Sequence, residues 1–364
     1  MNILFVRLSY IGDILHATAA ARWIKQHYPH AILHWIVTPS MAELLEHNPY
    51  VDVIIPWARD EYEAHSKKLH LRKMWSMWWQ LRKQLQPYHF DVVVDVQGRL
   101  ITGLVLLASK APLRLGLGGT KELNWLFTNR KTKSKEGHVI ERYIEAAELL
   151  EKEVECLSVY DSTYDAPHLL KMDLFITASE RQVAKDQIHI YFKSSHKPRV
   201  GLVLGTSWKT KEWAPYKWQE LVKGMEHSVD FICFGGPKEV KQYESLIDAA
   251  EKDGIPLYNR LGMTTLREMA ALLEQCDVVV ACDTGGLYMA IALGKPVVAL
   301  FGPTDPAEWG PITGDYRIIQ NKSLSCLGCR KRKCPKGEPY CMIGIDPIQV
   351  KEAIGDIIDT RHNS

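Results

Sequence analysis

The sequence predicts an α/β protein of two doubly wound, Rossmann-like domains, each a parallel sheet with helices on both faces. Three observations carry that expectation. Short runs rich in β-branched residues alternate with helical stretches through the first half. The same alternation restarts near Arg199, after a polar and less regular stretch. A chain of 364 residues is long for one core and natural for two.

The first half reads as strands over 2–7 (NILFVR), 31–37 (AILHWIV), 51–55 (VDVII) and 91–96 (DVVVDV). Helices are expected at Asp13–Tyr28, Met41–Asn48, Leu69–Leu85 and Val139–Glu151. Apolar runs without polar alternation mark strands buried on both faces, as in parallel sheets. The second half reads as strands at Arg199–Leu204, Val229–Phe234, Val278–Ala281 and Val297–Phe301. Helices are expected between them at Tyr216–Met225, Pro237–Ala250 and Thr265–Gln275, with a two-turn crossover at Leu287–Leu293. No sequence repeat relates the halves; the plan alone recurs. The boundary is expected within 165–197, where Ser179–Ile190 reads as helical. The expected division is a first domain over 1–170, a linker over 171–196, a second domain over 197–345, and a helix and tail over 346–364. Two such domains facing each other would line a central cleft with strand ends from both, which suits two-substrate group transfer.

Bulk composition excludes several classes. Hydrophobic residues make up 46% and charged residues 24% of the chain, as in ordinary globular proteins. A net charge of +2 is not that of a nucleic-acid-coating protein. No apolar run approaches the roughly 20 residues needed to cross a bilayer. Met1–Arg7 reads as a first strand and not a secretory signal, because Ser9 and Asp13 interrupt it and no small-residue cleavage site follows. A cytoplasmic protein is expected. Its eight cysteines then suggest thiols or a metal before disulfides.

The most informative stretch is Val278–Pro306, VVVACDTGGLYMAIALGKPVVALFGPTDP. Asp283-Thr284-Gly285-Gly286 falls between a strand's carboxyl end and a helix's amino end, where open α/β sheets bind anions. Gly302–Pro306 leaves the neighbouring strand on the same edge, so two ligand loops lie side by side and suggest a nucleotide or nucleotide-sugar site. The competing role for Asp283 and Thr284 is simple helix capping. The first strand leads to Arg7-Leu8-Ser9-Tyr10-Ile11-Gly12-Asp13, where Gly12 would permit a tight turn and Asp13 would open a helix. Asp13 is either a cap or a carboxylate able to take a proton from an attacking hydroxyl. In Gly205–Pro215, Thr206 and Ser207 can hydrogen-bond phosphate oxygens, and Lys209 or Lys211 can offset the charge of a departing diphosphate. Against this stands an ordinary solvated lysine pair. Neither the Gly12 turn nor Gly116–Gly119 has the three-glycine dinucleotide fingerprint in its proper context.

Taken together these pieces resemble the ADP-heptose:lipopolysaccharide heptosyltransferases, glycosyltransferase family 9, most closely heptosyltransferase I. The resemblance spans almost the whole chain: ILFVRLSYIGDILHATAA at the start, FDVVVDVQG at 90–98, LFTNRK at 126–131, HVIERY at 138–143, then Thr206–Pro215, Val278–Gly294 and Phe301–Pro306. It implies the GT-B fold and inverting transfer of heptose from ADP-heptose to the Kdo-lipid A acceptor of the lipopolysaccharide inner core. A later core heptose, or another nucleotide sugar, is the alternative within that reading. Asp13 matches the general base and Lys211 the lysine on the donor diphosphate. Thr206, Ser207, Thr264, Asp283, Thr284, Gly285, Gly286 and Tyr288 match the donor side, and Ser9 the acceptor side. The family usually has histidine where this chain has Tyr288, which donates a hydrogen bond but does not titrate near neutrality. The resemblance implies no cofactor for catalysis and a place at the inner face of the inner membrane. A nucleotide-sugar epimerase would need a base near the donor and no acceptor surface.

Lys67, Lys68, Arg72 and Lys73, followed by Trp75, Trp78 and Trp79, form a basic aromatic segment. Either the indoles pack inward, or the segment holds a phosphorylated glycolipid at a membrane surface, cations on phosphates and indoles near headgroups. Lys121 and Arg130 are further acceptor candidates. Cys326, Cys329, Cys334 and Cys341 sit in a basic loop, SCLGCRKRKCPKGEPYC. Four cysteines can bind zinc or iron, but this spacing is not that of a standard zinc finger. A structural role is expected, as free thiols or a metal clip; a nucleic-acid module built on this loop is the competing class. Cys156, Cys233, Cys276 and Cys282 read as core thiols.

Overall fold

The computed structural model describes residues 1–120, 122–133, 136–153, 170–193 and 195–362. The chain separates into two compact units, Met1–Phe175 and Ile176–Ser364.

In the first unit, strands β1 (Asn2–Val6), β2 (Ile32–Val37), β3 (Val53–Pro56), β4 (Val92–Asp95), β5 (Leu113–Gly116) and β6 (Arg130–Lys131) form one sheet in the order β3-β2-β1-β4-β5-β6. Every pairing is parallel. Central β1 sets Phe5 opposite Trp35 on one side and Val94 on the other, and all three side chains are fully buried. The helices are Ile11–His27, Arg59–Lys67, Leu71–Leu85, Leu100–Ser109 and Val139–Glu153. The expected helix Leu69–Leu85 starts at Leu71, because Leu69 adopts a left-handed φ of 54° that breaks it from Arg59–Lys67. Met41–Asn48 is replaced by a 3₁₀ turn, Pro39–Leu45.

The second unit repeats the plan. Strands β7 (Arg199–Val203), β8 (Asp230–Phe234), β9 (Leu257–Asn259), β10 (Val278–Cys282), β11 (Val297–Leu300) and β12 (Tyr316–Ile319) pair in the order β12-β11-β10-β7-β8-β9. Counted from its own first strand, each sheet has the order 3-2-1-4-5-6 of a doubly wound fold. The direction of winding reverses between β1 and β4 in one unit and between β7 and β10 in the other. Ligands of open α/β sheets bind outside the strand carboxyl ends at that reversal.

The described residues of 171–196 are folded on both sides of the division. Asp173 binds back to the first unit: its carboxylate accepts from Arg22 Nε at 2.9 Å and its amide donates to Thr18 Oγ1 at 2.8 Å. The helix Ala178–Phe192 begins at Thr177, whose hydroxyl accepts from the Glu180 amide. It is tied within the second unit by Arg181 to Glu274 and by Glu180 to Arg267. The carboxyl-terminal helix Pro347–His362 puts Val350, Ile354 and Ile357 into the same core as Trp213 and Trp218.

Candidate functional site

In the second unit the loop after β7 turns at Gly205, whose φ of +80° suits glycine; a Cβ there would lie 2.3 Å from Glu239 Cγ. Thr206 Oγ1 donates to the Trp208 carbonyl at 2.6 Å, and a 3₁₀ turn at Lys209–Lys211 swings Lys211 toward the end of β10. There its Nζ lies 2.6 Å from Asp283 Oδ2. The same carboxylate accepts from Thr304 Oγ1 at 2.6 Å and, through Oδ1, from the Tyr288 hydroxyl at 2.5 Å. Asp283 is 7% exposed, and three charge-assisted hydrogen bonds offset the cost of burying its charge. It therefore does not cap the helix Gly285–Ala292. Thr284 holds the cap position by backbone alone, with no side-chain bond.

The helix start is dictated by packing. A Cβ at Gly286 would meet Val203 Cγ1 at 2.6 Å and Met269 Cε at 2.8 Å, so the helix sits close against β7. The first amides of any helix lack intrahelical acceptors, and here they follow two residues after Asp283, the partner of Lys211. Of the donor-side residues read from the sequence, Lys211, Asp283 and Tyr288 meet in one cluster, with Thr284, Gly285 and Gly286 in the adjoining turn. Thr206 is half-buried and Ser207 exposed in the loop after β7. Thr264 is half-buried ahead of the helix Leu266–Glu274 and makes no hydrogen bond to the cluster. Thr304 was not foreseen as a partner, although it lies in the Gly302–Pro306 turn.

In the first unit Arg7 continues β1 into the reversal. Its Nη1 donates to the Val96 carbonyl at 3.1 Å, its Nη2 lies 2.7 Å from Asp13 Oδ1, and its guanidinium is 5.4 Å from the centre of the Tyr143 ring. Burial alone would weaken the Arg7 charge, but Asp13, Tyr143 and Asp95 outweigh it and hold its pKa above the usual arginine value. Asp13 Oδ2 accepts from the Tyr10 amide at 3.3 Å, so the carboxylate both closes the first helical turn and pairs with Arg7. The helix starts at Ile11, two residues earlier than expected. Gly12 is accordingly a helical residue and not a turn residue. One turn on, burial, then His138, Arg7 and Arg142, push His16 well below the usual histidine range. Asp95 fixes the loop after β4 by accepting from Gln97 N, Gly98 N, Thr102 Oγ1 and Asn124 Nδ2.

The acceptor-side expectations separate. Ser9 is buried, and its hydroxyl accepts from Arg59 Nη1 at 2.7 Å, so Arg59 already occupies it. Lys67, Lys68, Arg72 and Lys73 are exposed, and among the described residues none has a carboxylate partner. Trp78 packs inward, its Nε1 donating to the Leu104 carbonyl at 3.0 Å, but Trp75 is 62% and Trp79 41% exposed. Beside them an apolar groove of about 500 Å³ runs between the helices Leu71–Leu85 and Leu100–Ser109. Arg130 is engaged with Glu153 at 2.6 Å. Lys121 lies outside the described residues.

A model of glycosyltransferase family 9 (heptosyltransferase) matches residues 78–339, well over half of the chain. The chain belongs to glycosyltransferase family 9. Among family members, the lipopolysaccharide core heptosyltransferase OpsX of Haemophilus influenzae is 25% identical over 87% of this chain and 84% of its own length. The solved ADP-heptose lipopolysaccharide heptosyltransferase II of E. coli is 24% identical, covers 100% of both chains and has a TM-score of 0.76. E. coli heptosyltransferase WaaC, solved with ADP, is 22% identical over 98% of this chain and 100% of its own, with a TM-score of 0.72. The two doubly wound units are those of the GT-B fold that this glycosyltransferase family uses.

The cysteine loop of this family 9 protein is not assembled as a metal clip. Among the described residues no group of three or more histidine, cysteine or acidic side chains is placed to hold an ion. Cys326 and Cys334 are half-buried, Cys329 exposed and Cys341 buried, all as free thiols. Cys334 Sγ donates instead to the Glu338 carbonyl at 3.1 Å. Burial, then neighbouring Cys329, Cys326 and Cys334, push the Cys341 thiol up. The loop lies along the Gly302–Pro306 turn. The Gly328 amide donates to the Gly302 carbonyl at 3.2 Å and the Arg330 amide to the Pro303 carbonyl at 2.7 Å. Cys233, Cys276 and Cys282 are core thiols, and burial raises the last two to about 12. Cys156 lies outside the described residues.

Proposed function

We propose that this glycosyltransferase moves a heptose from ADP-heptose to Kdo-lipid A, the inner-core acceptor of lipopolysaccharide, with inversion at the anomeric carbon. The Asp13 carboxylate takes the proton of the acceptor hydroxyl as its oxygen attacks the anomeric carbon. The bond from that carbon to the diphosphate oxygen breaks, and ADP leaves with the electron pair. Lys211 offsets the charge gathering on the diphosphate, with the first amides of the helix Gly285–Ala292. One observation carries this reading: Lys211, Asp283, Tyr288 and Thr304 converge at the winding reversal of the second unit. The relatives whose names include ADP-heptose or ADP support the choice of donor. The cysteine loop packs on the donor turn, which favours this reading over a separate nucleic-acid module.

The exposed cations at 67–73 and the bare indoles of Trp75 and Trp79 favour a surface that rests on anionic lipid, cations on phosphates and indoles at headgroup depth. Among the described residues no helix is long and apolar enough to cross a membrane. Peripheral attachment at the inner face of the inner membrane follows from this reading. Incubation with ADP-heptose and Kdo-lipid A, followed by mass analysis of the lipid, is the direct test; an unmodified acceptor refutes the proposed reaction. Lys211→Ala should weaken donor use, and unchanged kinetics would remove Lys211 from the site. Trp75→Ala/Trp79→Ala should lose sedimentation with vesicles containing anionic lipid, and retained binding would refute the lipid-facing surface.

A further inference from the structure

We propose that Arg332, carried on the cysteine loop, is a second cation of the donor site and binds the diphosphate together with Lys211. The inference rests on the donor being a nucleotide diphosphate. Three backbone carbonyls pin the loop to ligand turns. Those of Gly302 and Pro303 accept from Gly328 and Arg330, and that of Lys331 accepts from Thr210 Oγ1 at 3.0 Å. This anchoring sets the Arg332 guanidinium 4.9 Å from the centre of the Trp208 ring. Lys211 Nζ lies 4.5 Å from the centre of the same ring. One indole thus gathers two cations beside the end of β7, each attracted to its π-electrons and each repelled by the other.

The charges around them are unequal. Lys211 is already met by Asp283. Arg330, two residues from Arg332, pairs with Glu308. Arg332 has no carboxylate partner among the described residues and is exposed. A diphosphate brings a negative charge on each phosphate, so Lys211, shared with Asp283, cannot balance it alone. A guanidinium offers a planar fork of N–H groups that matches two phosphate oxygens. Trp208 holds that fork at the mouth of the turn where Lys211 emerges.

The test is calorimetric titration of the full chain with ADP and with adenosine at low salt, using wild type, Arg332→Ala and Arg332→Lys. Loss of a charge-assisted contact predicts ADP binding about tenfold weaker in Arg332→Ala. Adenosine affinity and melting temperature should hold, and Arg332→Lys should recover part of the loss. Equal ADP affinity in wild type and Arg332→Ala overturns the inference. So does a parallel loss for ADP and adenosine with a lower melting temperature, which would mean that Arg332 merely braces the loop. A wild-type protein that binds no ADP refutes the donor reading itself, a separate outcome from any effect of Arg332.

Discussion

The Arg7–Asp13 pair determines how the proposed base should be probed. Removing the Asp13 side chain deletes a proton acceptor and also strands the Arg7 guanidinium, whose side chain is 10% exposed. Breaking a buried ion pair by removing one partner costs about 3–5 kcal/mol. Asp13 is itself 22% exposed, and Arg7 keeps the Val96 carbonyl and the Tyr143 ring, so the lower figure applies. At about 2–4 °C per kcal/mol for a unit of this size, Asp13→Ala should melt roughly 6–12 °C below wild type. Its lost activity would then mix chemistry with unfolding. Asp13→Asn separates them: the amide oxygen still accepts from Arg7 and should spare about half that shift, but it cannot take a proton. Transfer should fall between about a hundredfold and ten-thousandfold, the usual range for losing a general base. The assay pairs heptose transfer at saturating substrates with ADP titration and a thermal melt of the same preparation. Transfer by Asp13→Asn within tenfold of wild type would refute the base. Loss of ADP binding in step with transfer would make Asp13 a structural residue.

Three further outcomes follow from particular contacts. Tyr288→Phe removes one of three donors to Asp283, worth about 1.5–3 kcal/mol at a charged acceptor; a lower melting temperature and weaker donor use are expected, and unchanged values in both would show that the hydroxyl is idle. His16 stays neutral when folded because burial, then His138, depress its pKa, whereas the unfolded chain gains a proton below about pH 6.5. Stability should therefore fall on acidification by up to about 1.4 kcal/mol per pH unit, and His16→Gln should flatten that slope in denaturant titrations; an unaltered slope places its source elsewhere. Arg267 holds the Glu180 carboxyl down at about 2, so its stabilisation is complete above the ordinary glutamate range and fades as pH falls toward 2. Glu180 is partly solvated, so Glu180→Gln should cost no more than about 1 kcal/mol at neutral pH, and the difference should vanish in acid. A difference that persists at pH 2 would contradict the ion pair.

The central strands were legible because β1, β2, β4, β7, β8, β10 and β11 are dominated by apolar residues. Edge strand β3 was legible as 51–55, but β5, β6, β9 and β12 were not. Leu113–Gly116, Arg130–Lys131, Leu257–Asn259 and Tyr316–Ile319 are short and mix polar residues, three of them at sheet edges and the fourth beside one. The helix Leu100–Ser109 escaped for the opposite reason: LITGLVLLAS is apolar nearly all round and has no polar face to betray a helical period. Asp13, Asp283 and the Lys209/Lys211 pair stand out by their places after strand ends, whereas Tyr288 and the choice of Lys211 come from the family resemblance. The contacts of Arg7, Thr304 and Arg332 were not legible, because each is made only by tertiary folding. Arg332 meets Trp208, more than a hundred positions away. For the three indoles the spacing left inward packing and a lipid-facing surface equally open; the fold turns Trp78 inward and leaves Trp75 and Trp79 exposed.

The bond between Lys211 and Asp283 bears on how the enzyme copes with a crowded cell. With its ammonium already answered by a carboxylate, Lys211 itself offers little to chloride, to a stray monoanion or to the abundant orthophosphate of metabolism. A ligand gains from that ammonium only if it can compete with Asp283 and fill neighbouring contacts at once, as the bulky, multiply charged sugar nucleotide of the proposed reaction would. In the proposed reaction the Asp283 partner would thus filter out small ions that an unguarded ammonium would collect.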